Sequence, residues 1–339
     1  MKTRMAVVRT PGAAELVERD VPGPGETGVV IAIRACSICG GDLHIYKGKH
    51  PSAPLPMALG HELAGVVTGI GSKVSLVAVG DRVTVEPVIA CGECPPCRRG
   101  EYGYCDNLSF HYRQGQGALA DYFVADERYV YKLPGHLSFE AGALIEPLAV
   151  AVHAVRRCNV GLGDGVAVIG AGPIGLLVTA VCKAAGAREI IVGDISAARL
   201  ETASVMGATR TVDSGKESFV DAVRRETDGR GIGRSFECVG KEETFVQSMR
   251  CLCKGGLATV VGIFEEPVIR VPAALFVSQE IIVQGSQGYC RDFDTALGLT
   301  DAIDLGRLVS HVFALADVDK ALKTALNPAE SPVKVVLKP

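Results

Sequence analysis

Four cysteines within fifteen residues, Cys91, Cys94, Cys97 and Cys105 in CGECPPCRRGEYGYC, form the densest cluster of reactive side chains in this chain. Thiolates at that spacing let one loop wrap a tetrahedral ion. Four protein ligands leave no open position, so the cluster reads as a structural zinc site. A redox pair would not need this four-fold closure. A second set of ligand types is dispersed: Cys39 and His44 in CGGDLH, His61 and Glu62 in GHE, and Glu146 in EPLAVAVHA. Mixed sulfur, nitrogen and oxygen donors suit Zn²⁺, and Cys39, His61 and one carboxylate would leave a fourth position for water or substrate. Taken singly, each His or Glu here is more simply a packed or solvated residue. The company of the other motifs is what gives the set weight.

The third motif is GAGPIG, which supplies Gly170, Gly172 and Gly175 between the apolar strand VAVI and an apolar helix. In that context the first glycine permits a tight turn, the second lets backbone approach a pyrophosphate, and the third allows close packing of helix on strand. Pro173 and Ile174 open the helix, and a proline in its first turn loses no hydrogen bond. The next strand, EIIVGD, ends at Asp194, where a carboxylate can accept bonds from both ribose hydroxyls and repel a 2′-phosphate. NAD is therefore expected over NADP. Arg199 either covers the adenine ring or is a solvated helix residue.

The elements that must position these groups fall into two textures. From about residue 4 to 135 the chain is short β-rich runs (MAVV, VVIAIRA, LAGVVTGIG, DRVTVEP, ADYFVA) separated by Gly and Pro. From about residue 160 strands and helices alternate, and strand candidates near TRTVD, RSFECVG, LATVVG and IIVQGS bring the count to six, a complete dinucleotide fold ending near Gly288. The last fifty residues, with DFDTALGLTDAIDLG and the closing run VKVVLKP, are too few for a third domain and are expected to fold back onto the first.

Bulk properties bound the partners. The chain has 339 residues, 48% of them apolar and 22% charged, enough to build two cores. With a net charge of -3 and no single-sign stretch, nucleic acid and anionic membrane find no footprint, and a small-molecule partner is expected. The opening MKTRMAVVRTPGAAELVERD is broken by charge too early for a signal peptide, and no run reaches a membrane span, so the chain reads as cytosolic. Twelve cysteines in that compartment point to metal binding over disulfides. Cys36, Cys158, Cys182, Cys238, Cys251, Cys253 and Cys290 read as packing residues.

With these three motifs in this order, the chain resembles the zinc-containing medium-chain alcohol dehydrogenases over essentially its whole length. The resemblance implies an α/β protein: a GroES-like, mainly β catalytic domain of residues 1–150 and 289–339, and a doubly wound, six-stranded parallel Rossmann domain of residues 151–288. It implies two zinc ions per chain, a catalytic one on Cys39, His61 and Glu62 or Glu146, and a structural one on the four clustered cysteines. Asp42 would hydrogen-bond a ligand, and loops around 46–57, 108–116 and 286–293 would shape the substrate pocket. Glu146 stands where ethanol-oxidising members have a cysteine, and EPLAVAVHA is similar to the corresponding stretch of sorbitol-type and threonine-type enzymes. The implied reaction is oxidation of a polyol, sugar-derived or cyclitol-like secondary alcohol, with hydride passed to NAD, in a homodimer or homotetramer joined through the nucleotide domain's sheet edge.

One position departs from the family pattern. Members usually carry Ser or Thr two residues after the ligand cysteine, where its hydroxyl relays the substrate proton, and this chain has Gly41. Water, a second substrate hydroxyl or His44 would have to take the proton. Two rival readings follow: an amino-alcohol dehydrogenase of the threonine type, with Arg113 or Arg291 binding a carboxylate, and a non-catalytic NAD-binding protein, which Gly41 alone favours. His311 aligns near the family's cleft, His153 reads as a packed helix residue, and His50 and His136 as loop residues.

Overall fold

The strand Gly28–Ser37, GVVIAIRACS, is buried at every residue except Ala32 and Arg34, because neighbours cover both of its faces. Such a run reads as a central strand, and its β-branched residues suit that place. In the computed structural model, which describes residues 1–50 and 53–339, this strand is the hub of a seven-stranded sheet. Glu62–Ile70 pairs with it antiparallel on one side, bringing Ser37 opposite Glu62. Lys334–Lys338, from the far end of the chain, pairs antiparallel on the other, with Val336 opposite Ser37. Tyr122–Asp126 also pairs with it, while Arg82–Val85, Val130–Lys132 and Val309–Ala314 extend the sheet. A three-stranded sheet (Lys2–Thr10, Ala13–Asp20, Met57–Ala58) and the helix Val318–Leu326 enclose a core that includes Val7, Ile31, Ile33, Leu63, Phe123, Leu322 and Leu337. Pro51 and Ser52, inside the expected pocket loop 46–57, lie outside the described residues.

These elements belong to one compact unit, Met1–Glu146 with Asp304–Pro339; the other unit is Pro147–Ile303. The second unit holds a six-stranded, wholly parallel sheet. Its order is Arg210–Asp213, Glu189–Asp194, Gly165–Ile169, Ile232–Glu237, Leu252–Val260 and Ile282–Gly285. That is the strand order of a dinucleotide fold, whose ligand crevice lies at the carboxyl ends where the order reverses. The inner strands GVAVI and EIIVGD are buried almost end to end, as strands covered by helices on both faces must be. No helix among the described residues is long and apolar enough to cross a membrane.

The first unit resumes at Asp304, not at residue 289 as expected from the sequence. The intervening stretch is anchored in the second unit: Phe293 and Ala296 are fully buried, and Tyr289 packs edge-on against Phe293 at 5.1 Å. Asp292, only 1% exposed, bonds His153 Nδ1 at 2.8 Å, the Arg156 guanidinium, and the backbone N–H of Cys290. Gly285 and Gly288 precede the stretch, but these buried contacts hold it to the second unit.

Burial alone would raise the Asp292 pKa, but His153, the Cys290 N–H and Arg156 hold it below the ordinary aspartate value. A depressed carboxylate contributes stability that is present above its unfolded pKa and is lost as pH falls through the folded one. Asp292→Asn is therefore expected to cost roughly 2 to 3 kcal/mol at pH 7, under the cost at a fully dry pair because Arg156 is half-exposed. Urea unfolding should show this difference shrinking as pH drops below about 4.

Candidate metal centres and nucleotide turn

Ser37 ends the central strand, and two residues later Cys39 caps the helix Gly40–Tyr46. The cap is reciprocal: Cys39 N–H donates to Asp42 Oδ2 at 2.9 Å, and Gly41 N–H donates to Cys39 Sγ at 3.5 Å. Asp42, 1% exposed, also accepts from Gly60 N–H at 2.9 Å and lies 3.9 Å from His61 Nδ1. The helix start and the strand that begins at Glu62 are thus locked together. The result brings one donor atom each from Cys39, His61 and Glu62 within 4.8 Å of one another. His61 Nδ1 is buried and has no hydrogen-bond partner among the described residues. A donor set of thiol, imidazole and carboxylate this close together fits a zinc ion.

The electrostatics agree. Burial would lower the His61 pKa, yet the facing Cys39 and Asp42 charges, with Glu146 beyond them, raise it well above the ordinary value. Burial pushes the Cys39 thiol up, partly offset by His61. Glu146, 5% exposed, sits in the first turn of the helix Ile145–Cys158. His44 occupies the last turn of the helix that Cys39 caps.

Sequence reasoning missed three neighbours. Lys334, 2% exposed, bonds both oxygens of the Glu62 carboxylate, and Ser37 Oγ donates to one of them. Nothing in VKVVLKP marks Lys334 as buried, since Lys is almost always exposed and the neighbouring Lys338 is. Tyr112, in the loop 108–116, places its ring 5.7 Å from the His61 ring and stacks on Phe110 at 5.4 Å, with Arg113 over both. Beside it, burial lowers the His111 pKa to about 4, so that ring is neutral at pH 7. Of the histidines noted in the sequence, His153 is tied to Asp292, and His311 lies on the strand Val309–Ala314, stacked on Phe313 at 6.4 Å and bonded to Ser310.

In the cysteine loop the four sulfurs of Cys91, Cys94, Cys97 and Cys105 lie within 4.8 Å of one another. Pro95 starts the short helix that carries Cys97, and a 3-10 turn, Tyr102–Tyr104, delivers Cys105. Backbone N–H groups of Cys91 and Asn107 donate to Cys105 Sγ, and that of Cys94 to Cys91 Sγ. Bonds from the Glu93 and Cys94 N–H groups bring the Cys91 thiol down to about 6. Burial and the Cys94 thiol push Cys97 the other way, up to about 12, so what fits a divalent ion is the four sulfurs gathered within one short loop.

The nucleotide turn gives each glycine its own reason. Gly170 has φ +96°, a left-handed backbone that disfavours any other residue. A Cβ on Gly175 would stand 1.8 Å from the Gly170 carbonyl oxygen. At Gly172, by contrast, a Cβ would meet nothing within 4 Å, so the space in front of the helix Pro173–Ala184 is open. Ile174 follows Pro173 in its first turn. Asp194 ends its strand and accepts from Ala171 N–H at 2.7 Å and Ser196 N–H at 2.8 Å, which fixes the carboxylate beside the glycine turn. Arg199 is half-buried on the following helix.

Residues 25–135 match the alcohol dehydrogenase GroES-like domain, and residues 173–302 the zinc-binding dehydrogenase domain. The sorbitol dehydrogenase of Bacillus subtilis is 31% identical, over 99% of this chain and 97% of its own. The chain belongs to the zinc-containing alcohol dehydrogenase family. Two solved structures extend the likeness. A zinc-binding dehydrogenase of Sinorhizobium meliloti, crystallised with NADP, superposes with a TM-score of 0.93 at 30% identity, covering 100% of both chains. The 2R,3R-butanediol dehydrogenase of Bacillus subtilis gives 0.89 at 32% identity over 99% of each. This chain is accordingly a dehydrogenase acting on an alcohol, built from a GroES-like and a Rossmann-type domain. Within that family its Gly41 is a gap with room in it: a Cβ there would find only Cys39 Sγ, at 3.9 Å.

Cys97→Ser should halve the metal content of the purified chain from two zinc ions to one, measured by elemental analysis. Because a structural site contributes folding free energy directly, the same variant should melt at least about 5 °C lower.

Proposed function

We propose that this chain oxidises a secondary alcohol of the polyol, sugar-derived or cyclitol kind to a ketone and passes the hydride to NAD. The observation that carries the reading is the convergence of Cys39, His61 and Glu62 on one point in the first unit. An ion held there would supply Lewis acidity at the substrate oxygen. The protein's own work is positional. Cys39 and His61 hold the ion with one carboxylate, Glu62 or Glu146. Asp42, pinned by two backbone N–H groups, sets a fixed carboxylate 3.9 Å from His61 Nδ1. His44, on the helix that begins at Cys39, is the proton acceptor when the hydroxyl usual at position 41 is missing. The four clustered cysteines would hold a second, structural zinc.

Three features support a polyhydroxy substrate: Glu146 in place of a cysteine, the sorbitol dehydrogenase likeness, and the open space at Gly41, which a second substrate hydroxyl fits. Tyr112, with Phe110 stacked on it, sets an aromatic ring beside His61. NAD is favoured by Asp194, whose fixed carboxylate suits ribose hydroxyls and repels a 2′-phosphate, although the Sinorhizobium relative carries NADP. Gly170, Gly172, Pro173, Ile174 and Gly175 would receive the pyrophosphate, with Arg199 near the adenine. All twelve cysteines are free, which suits a reducing, cytoplasmic setting.

Incubated with NAD and a panel of polyols, sugar acids, amino alcohols and simple secondary alcohols, the zinc-loaded chain should generate NADH from a polyhydroxy member, and Cys39→Ala should abolish this. Turnover only of an amino alcohol would move the reading to the threonine type, and silence despite NAD binding would remove the enzymatic reading. Asp194→Ala should weaken NAD by about ten- to a hundred-fold, the loss of a charged acceptor, and narrow its advantage over NADP.

We further propose that the chain is a homodimer or homotetramer joined through the edge strand Ile282–Gly285. That edge is unpaired among the described strands, and Ile282, Val277 and Phe276 beside it are 58%, 85% and 39% exposed. Open, apolar sheet edges are ordinarily covered. Ile282→Lys should shift the mass measured by light scattering toward the monomer; an unchanged mass would place the interface elsewhere.

A further inference from the structure

We infer that Lys334 is a positioning residue for the metal centre: its buried ammonium competes with the metal for the Glu62 carboxylate and so keeps one coordination position exchangeable. The inference rests on the reading of Cys39, His61 and Glu62 as metal donors.

The sheet makes the contact unavoidable. Glu62 and the closing strand flank Ser37 from opposite sides, and Ile38 N–H is bonded to Val335 O at 2.9 Å. Lys334 Nζ reaches Glu62 Oε1 at 2.5 Å, bonds Oε2 as well, and lies 3.4 Å from the Ile38 carbonyl oxygen. Ser37 Oγ donates to Oε2. The two charged side chains are 2% and 1% exposed, so water screens almost nothing of the interaction. A carboxylate offers about four lone-pair directions, and three are spent on these two donors. The same carboxylate lies with the Cys39 and His61 donors, one atom of each within 4.8 Å of the others.

Two consequences have a fixed sign. A carboxylate already neutralised by an ammonium is a weaker metal ligand than a free one, and an ammonium beside a dication repels it in a dry site. Lys334 therefore loosens the metal's hold on Glu62. Without it, Glu62 would hold the metal more tightly, and the position that it occupies would no longer exchange. A Lys that merely completes a structural ion pair predicts the opposite: its removal would loosen the fold and the metal together.

The test uses the full, zinc-replete chain. Zinc release to excess chelator is followed for wild type, Lys334→Met, Lys334→Arg, Glu62→Gln and the double variant Lys334→Met/Glu62→Gln, with visible spectra of the Co²⁺-substituted forms. Lys334→Met is expected to release the faster-exchanging ion about ten-fold more slowly than wild type, the scale of outer-shell effects on metal affinity, and to shift the Co²⁺ spectrum. Lys334→Arg should restore wild-type release, and the double variant should match Glu62→Gln. Release from Lys334→Met as fast as wild type or faster, or an equal effect in the Glu62→Gln background, overturns the inference. Should Lys334→Met fail to fold, Ser37→Ala, which removes only the hydroxyl's hold on Glu62, must slow release in the same direction or the inference fails. A wild-type chain with one zinc would sink the metal reading itself; two zincs with unaltered release in Lys334→Met would sink this inference alone.

Discussion

Burying negative charge without leaving it uncompensated is the constraint on which the first unit depends. Asp42, Glu62 and Glu146 are all at least 95% buried, and Cys39 adds a thiol to the same region. Charges in such a place persist only when paired and hydrogen-bonded. The chain meets the demand with two backbone N–H groups on Asp42, a hydroxyl and an ammonium on Glu62, and an imidazole raised toward its cationic form. A divalent ion would satisfy the same anions more completely. The site is therefore arranged around positive charge, and the surrounding fold supplies it from three separate stretches of sequence.

The sheet explains why those stretches meet. Gly28–Ser37 carries one neighbour that follows it after a short helix and another that arrives only after the whole second unit has been threaded. Strand pairing is specified by register, and a slip of one residue would send Glu62 or Lys334 to the opposite face. The buried ion pair thus depends on long-range register, whereas the cysteine loop depends on almost nothing beyond its own fifteen residues. A metal centre at Cys39, His61 and Glu62 would be coupled to folding of the entire first unit. The structural centre is a local device, held by backbone N–H to sulfur bonds within one loop.

The second unit solves its problem with backbone geometry. A left-handed Gly170, an open Gly172 and a close-packed Gly175 leave donors and space at the carboxyl end of the sheet, and Asp194 is tied to that turn by two backbone bonds. Here too a carboxylate is placed by N–H donors before any ligand arrives, which lowers the ordering that binding must impose.

The sequence by itself determined whatever local chemistry controls: the cysteine spacing, the glycine turn, the six parallel strands in their order, and the family likeness that joined them. Short-range pattern carries this because helix, turn and buried-strand periodicities are written within ten or so residues. Only the tertiary structure decided that Lys334 is a buried partner of Glu62, that Tyr112 faces His61, and that residues 289–303 stay with the second unit until Asp304. A lysine at the start of an apolar strand carries no mark of burial, and an aromatic residue in a loop carries no mark of its neighbour. Each depends on contacts between residues far apart in the chain, and such contacts leave no trace in local periodicity.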